Sequence, residues 1–232
     1  MNNGEVFIKK FNELENVLRK RAGRDRHRLF SELVDLVAKS DITVRRRKEL
    51  LKSIGQLRNA IVHDREYPIR ILADPRMEVI EELESVCSAI AQPATVIPKF
   101  QRSIHVFAAQ DTLGDCLRYM KTNDFSQVVA MIDGKYVLVS SEGIVKWLEN
   151  ARDIGLADLE RATVRDAWEC ETKNICRYLP RNAPLDAAYD EFEQAVHHGI
   201  PRLQAILITH TGKPEEHPLG IITPWDLLGN TR

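Results

Sequence analysis

Residues 99–232 repeat themselves, and this constrains the fold more than any other property of the chain. The decapeptide from Asp111 to Met120 (DTLGDCLRYM) aligns with the one from Ala183 to Phe192 (APLDAAYDEF). The nonapeptide from Val137 to Val145 (VLVSSEGIV) aligns with the one from Gly220 to Leu228 (GIITPWDLL). Two blocks recurring in the same order describe one supersecondary unit used twice. The offset between copies grows from 72 to 83 residues, and the Gly-, Pro- and charge-rich loop Thr211–Pro218 absorbs the difference. Short β-branched runs at Ile104–Val106, Val128–Met131, Tyr136–Val139, Ile175–Leu179, Ala205–Thr209 and Leu219–Ile222 predict strands. Helical stretches at 112–122, 142–150 and 184–196 lie between them.

The first 92 residues read differently. Val6, Phe7, Phe11, Leu14 and Leu18 mark one amphipathic helix, and Leu29, Leu33, Leu36 and Val37 a second. Leu50, Ile54, Leu57 and Ile61 follow the spacing of a third, and Met77, Ile80, Leu83, Val86 and Ile90 of a fourth. Gly23, Ser40-Asp41 and Tyr67-Pro68 break the pattern between them. The expectation is an α-helical bundle over 1–95, ended by Pro93 and Pro98, which a helix does not carry through. An α/β module then fills 99–232, with repeat 1 at about 99–150 and repeat 2 at about 160–230. The fold class expected is α plus α/β.

No apolar run approaches the roughly 20 residues needed to span a bilayer, so no membrane is expected. The N-terminus has no apolar core of a signal peptide. The four cysteines, Cys87, Cys116, Cys170 and Cys176, form no CxxC pair. They read as reduced cytoplasmic thiols with no metal site. A net charge of −1 hides an asymmetry: residues 1–95 hold 18 Lys/Arg against 15 Asp/Glu, the remainder 15 against 19. The basic residues cluster at Arg19-Lys20-Arg21 with Arg24, Arg26 and Arg28, and again at Arg45–Lys48. Such clusters serve a polyanion or a solvated face.

Each repeat resembles a CBS (cystathionine β-synthase) domain, a β-α-β-β-α unit that pairs into a Bateman module. The second copy carries the better match, in Thr163–Trp168, Pro184–Ala188, Gly199–Leu207 and above all Gly220–Leu228. The resemblance implies a ligand site made by Thr223 and Asp226 with Ile222 and Pro201, holding the ribose and phosphate of an adenosine nucleotide or a related ligand. ATP, AMP, S-adenosylmethionine and cyclic dinucleotides are the candidates. Chemistry agrees, since a carboxylate accepts from both ribose hydroxyls and a hydroxyl at a helix start meets phosphate. Thr223 and Asp226 also suit a plain helix cap. In the first copy Ser140 keeps the hydroxyl, but Gly143 stands where the ribose carboxylate belongs. One nucleotide per pair is therefore expected, unless Glu142 substitutes. CBS pairs also imply a homodimer.

The hexapeptide Arg58–His63 (RNAIVH) resembles the signature of HEPN domains, helical bundles whose active members are metal-independent ribonucleases. That resemblance implies Arg58, Asn59 and His63 as catalytic residues and RNA as a partner. His63 would move the proton of the 2′-hydroxyl or of the leaving oxygen. Arg58 would stabilise the phosphorane-like transition state, and Asn59 would orient His63. On a regular helix Arg58 and His63 diverge by about 140°, so a composite site at a dimer interface is expected. Two readings follow: a nucleotide-regulated endoribonuclease, or a non-enzymatic nucleotide sensor whose helices serve dimerisation or docking.

Overall fold

The computed structural model describes residues 2–23, 27–63, 70–71, 74–151, 161–199 and 202–228, with His63, Arg70, Ile71 and Ala151 described by their backbone alone. The chain divides into two units, Met1–Ala94 with Pro184–Ala187, and Thr95–Ala183 with Ala188–Arg232. No described helix is long and apolar enough to cross a membrane.

The first unit is helical. Helix α1 (Asn3–Arg21) opens on Asn2, whose side chain accepts from the Glu5 amide at 2.9 Å. It closes on Arg19, Lys20 and Arg21, the sign its dipole favours. Phe7, Phe11, Leu14 and Leu18 form its buried stripe. That stripe shares one core with buried side chains of α2 (Phe30–Val37), α3 (Ile42–Arg46), α4 (Lys48–Ile61) and α5 (Met77–Ala91). The basic residues are partly consumed by ion pairs within the unit. Arg19 meets Glu15 at 2.5 Å, Arg21 meets Asp41 and the Ile90 carbonyl, and Lys48 meets Asp35 at 2.8 Å. Arg24 and Arg26 lie outside the described residues, as does the break at Tyr67-Pro68.

Helix α4 corrects the expectation for the RNAIVH motif. Its buried stripe runs through Leu51, Ile54, Gly55 and Ile61, while Leu50 and Leu57 are only partly buried. Arg58 lies seven residues from Leu51, on the side of the helix that carries the buried stripe, and is itself partly buried. The helix ends at Ile61. Val62 is extended (φ −108°, ψ 103°), and Val62–His63 forms strand β1, antiparallel to β2 (Arg70–Ile71) with His63 opposite Arg70. The 140° divergence expected of Arg58 and His63 on a regular helix therefore does not apply, because the helical repeat stops between them.

The second unit contains the two repeats, apart from residues 184–187. In the first, β3 (Val106–Ala108), α7 (Leu113–Asn123), β4 (Gln127–Ile132), β5 (Lys135–Ser140) and α8 (Ser141–Ala151) follow one another. In the second, β6 (Cys176–Pro180), α10 (Leu185–His197), β7 (Ala205–Thr209), β8 (Gly220–Ile222) and α11 (Pro224–Leu228) do the same. Each forms a three-stranded sheet, β3-β4-β5 and β6-β7-β8, whose first pair is parallel and second antiparallel. The parallel pair needs a crossover, which the intervening helix supplies. In the first repeat, Asp133 and Gly134 (φ 49° and 75°) close a tight β4–β5 hairpin. In the second, residues 210–219 join β7 to β8, so the surplus length falls there.

Alternation along β4 explains the buried runs of these strands. Val128, Ala130 and Ile132 face a core shared with Leu113, Cys116 and Met120 of α7. Val129, from the opposite face, packs with Leu138, Ile175, Ala205 and Leu207, so the two sheets share a second core.

A short lead-in helix precedes each repeat and serves the other one. Helix α9 (Val164–Glu169) contributes Val164 and Ala167 to the first repeat's core, and Leu113 N–H donates to the Ala162 carbonyl at 2.9 Å. Helix α6 (Val96–Lys99) leads to Gln101, which bridges to Gly220 of β8. Gly220 is required there, because a Cβ would lie 2.1 Å from the Phe100 carbonyl oxygen.

Candidate functional site

In the second unit a cleft of about 1070 Å³ opens between segments of both repeats. The first repeat supplies its lead-in residues Arg102–His105, the end of α7 with the start of β4, and the first turns of α8. The second supplies Arg202–Gln204, Ile221 and Thr223–Asp226. A volume of this size is at the upper end of small-molecule sites.

Thr223 and Asp226 stand on this cleft, as strand β8 passes into α11. Asp226 Oδ2 accepts from the Thr223 amide at 2.7 Å and the Thr223 hydroxyl at 2.8 Å. Asp226 Oδ1 accepts from Arg102 Nη2 at 2.9 Å. Burial works to raise the Asp226 pKa, but the Thr223 amide and hydroxyl and the Arg102 guanidinium outweigh it and hold the carboxyl below its ordinary value. The helix-cap role and a place on the cleft thus belong to one carboxylate.

The other residues expected at this site fall differently. Ile222 is fully buried, and its neighbour Ile221 lines the cleft instead, as the period-2 alternation of a strand requires. Pro201 lies outside the described residues; Arg202, Leu203 and Gln204 after it line the cleft. Ser140 is 1% exposed and does not border the cleft. Glu142 lines the cleft from the first turn of α8. It turns to Lys146 at 2.9 Å and Arg202 at 2.5 Å, and these two cations lower its pKa.

Aromatic rings line one wall of the cleft. His105 stacks on Tyr119 with centroids 4.7 Å apart at 27°, and Tyr119 leans on Phe125 at 6.0 Å. Trp225 borders the same cleft and is 80% exposed. Trp147 and Trp168, by contrast, pack against the first repeat's core. Trp225 thus stands apart from the other two tryptophans. A flat apolar face beside a carboxylate and guanidiniums can hold a heteroaromatic ring on one side and a sugar hydroxyl on the other.

The second candidate site does not assemble in this way. The Arg58 guanidinium lies 5.9 Å from the centroid of the Phe11 ring, a cation–π contact inside the first unit. Its Nε is buried and makes no hydrogen bond among the described residues, while Nη1 donates to Asn59 Oδ1 at 3.3 Å. Asn59 is exposed, and the backbone of His63 is in strand β1.

No protein-family model matches the chain, and no curated protein sequence does either. Solved structures do match. One is a CBS domain pair in complex with 5′-methylthioadenosine and S-adenosyl-L-methionine, at 14% identity and TM-score 0.43, covering 60% of this chain and 99% of that one. Another is a CBS-domain containing protein of Agrobacterium tumefaciens, at 17% identity and TM-score 0.39, covering 55% and 88%. A third is a hexameric CBS-CP12 protein of bloom-forming cyanobacteria, at 17% identity and TM-score 0.43, covering 60% and 73%. These neighbours are CBS-domain proteins.

Proposed function

We propose that this chain is a non-enzymatic sensor of an adenosine-type ligand, bound in the cleft between two CBS-like repeats, with the helical unit serving dimerisation or partner docking. The observation that carries the reading is Asp226: a carboxylate fixed by Thr223, aimed at a cleft with an aromatic wall, and neutralised by a half-exposed arginine from the other repeat. Ribose hydroxyls would compete with Arg102 for Asp226 Oδ1. The displaced guanidinium would then lie beside the ligand, where it can meet a phosphate or carboxylate. The His105–Tyr119 pair or Trp225 would take the base.

The endoribonuclease reading has no comparable support. Its three residues are divided between the partly buried Arg58 over Phe11, the exposed Asn59 and a strand beyond the helix end. Binding RNA through the arginine clusters also loses Arg19 and Arg21, which are engaged within the unit.

The test is calorimetric titration and thermal shift of the purified protein with AMP, ATP, S-adenosylmethionine and a cyclic dinucleotide. Binding by at least one of them, lost in Asp226→Ala with retained folding, is the expected result. No binding by any of them overturns the reading. Cleavage of RNA in EDTA that is lost in His63→Ala would instead restore the enzymatic one.

A further inference from the structure

The two repeats close with the same hydrogen-bond pattern, made by different carboxylates. In the second repeat, Asp226 stands three residues after Thr223 and accepts from its amide at 2.7 Å and its hydroxyl at 2.8 Å. In the first, the residue three after Ser140 is Gly143, which has nothing to offer. Glu171 supplies the missing carboxylate: its Oε2 accepts from the Ser140 amide at 2.8 Å and the Ser140 hydroxyl at 2.7 Å. The Gly143 amide donates to the same hydroxyl oxygen at 3.1 Å.

Glycine is what admits it. A Cβ on Gly143 would lie 2.4 Å from Glu171 Oε2 and 2.9 Å from its Cδ, so any side chain there would compete with the glutamate for one space. The glutamate arrives from just past α9, the lead-in of the second repeat. Arg102 arrives at Asp226 from just past α6, the lead-in of the first. One junction therefore holds a carboxylate against a hydroxyl and the first turn of an 11-residue helix. The other holds a carboxylate with a displaceable guanidinium over it. Of the two hydroxyl–carboxylate pairs, only Thr223–Asp226 lines the cleft; Ser140, Gly143 and Glu171 do not, although Ser141 and Glu142 of the same turn do. The Ser140 hydroxyl has a single proton, and Glu171 already takes it.

We infer that Glu171 is a built-in occupant of the first repeat's half-site. It takes over the cap that Asp226 provides in the second repeat, places a fixed negative charge where an anionic ligand would approach α8, and leaves one ligand position per chain, at Asp226. The ligand count rests on the proposed nucleotide reading, whereas the carboxylate exchange does not.

The experiment is a swap. Glu171→Ala leaves the buried Ser140 hydroxyl without its acceptor, and Gly143→Asp alone sets a carboxylate against Glu171, so each lowers the melting temperature by several degrees. Glu171→Gln, which keeps an acceptor, costs less than Glu171→Ala. The double variant Gly143→Asp/Glu171→Ala pairs Ser140 with a carboxylate three residues on, as Thr223 is paired with Asp226, and melts close to wild type. Double-variant losses that merely add would overturn the exchange. Titration with AMP then gives one ligand per chain for wild type and a second for the double variant. Two AMP per wild-type chain, falling to one in Glu171→Ala, would overturn the closure by showing that Glu171 serves a ligand. If neither protein binds AMP but the double variant regains its stability, the nucleotide reading falls and the exchange stands.

Discussion

Arg102 and Asp226, 124 residues apart in sequence, meet at 2.9 Å on the wall of the cleft. The contact joins the lead-in of the first repeat to the closing turn of the second. It also gives the cleft a charge that a ligand must displace or use. Arg102→Ala should therefore separate two classes of ligand. Uncharged adenosine should bind the variant at least as well as wild type, because Arg102 no longer competes for Asp226 Oδ1. AMP should bind it several-fold more weakly, because the guanidinium that would meet its phosphate is gone. Equal weakening of both in parallel titrations would show that Arg102 only supports the fold.

The titration of Asp226 sets a pH dependence with a definite sign. Its pKa is depressed in the folded protein, so its contribution to stability is fully present above the unfolded value of about 4. That contribution is lost as pH falls further, through the folded pKa. The difference in melting temperature between wild type and Asp226→Ala should thus be constant from neutral pH to about 5 and shrink below about 4. A difference that grows on acidification would contradict the hydrogen-bond assignment.

Glu216 gives a second acid-side marker. The Thr211 hydroxyl and amide, each 2.6 Å from its carboxylate, hold its pKa at about 2, and they pin the 210–219 loop that makes the second repeat longer than the first. The Thr211 amide resonance should titrate with a midpoint near pH 2 and lose that titration in Glu216→Gln. A midpoint near 4.5, the ordinary glutamate value, would mean that the two bonds are not made in solution.

How far the sequence reached is clearest at the closing turns. The Thr223–Asp226 pair was legible because both partners lie within one turn of chain, as were the strands, whose β-branched runs recur in matching order. Glu171 was not legible, since it reaches Ser140 from 31 residues away and belongs to no block of the repeat. Only the gap left by Gly143 pointed to it, and Glu142 was the nearer carboxylate. The end of α4 was hidden for another reason. Ile54, Leu57 and Ile61 continue helical spacing into the motif, while the pairing of Val62 with Ile71 that stops the helix is made through the backbone, which side-chain periodicity does not record.

Thiol chemistry should be slow at three of the four cysteines. Burial pushes Cys87 and Cys116 up to about 11 and Cys176 up to about 12. At pH 7 the thiolate fraction of the first two is on the order of one in 10⁴. Iodoacetamide on the folded protein should leave Cys87, Cys116 and Cys176 largely unmodified for hours while urea-unfolded protein reacts at all four sites. Mass spectrometry of peptides from each reaction reads this directly, and fast modification of Cys176 would show that β6 opens.

Arg58 offers the sharpest separation between a structural and a catalytic arginine. Its guanidinium lies over Phe11 on the side of α4 that carries the buried stripe, so its removal should appear in stability. Arg58→Ala is expected to cost about 1 kcal/mol, the order of a cation–π contact that is partly desolvated. Phe11→Leu should cost its own packing loss, and the double variant should cost less than the two together, because the second substitution finds the contact already gone. Strict additivity in urea unfolding would place the guanidinium elsewhere in solution. With the coupling measured, an Arg58 variant that lost an activity would have to be judged at matched fraction folded, since a weakened α1–α4 contact alone would change how much native protein each assay contains.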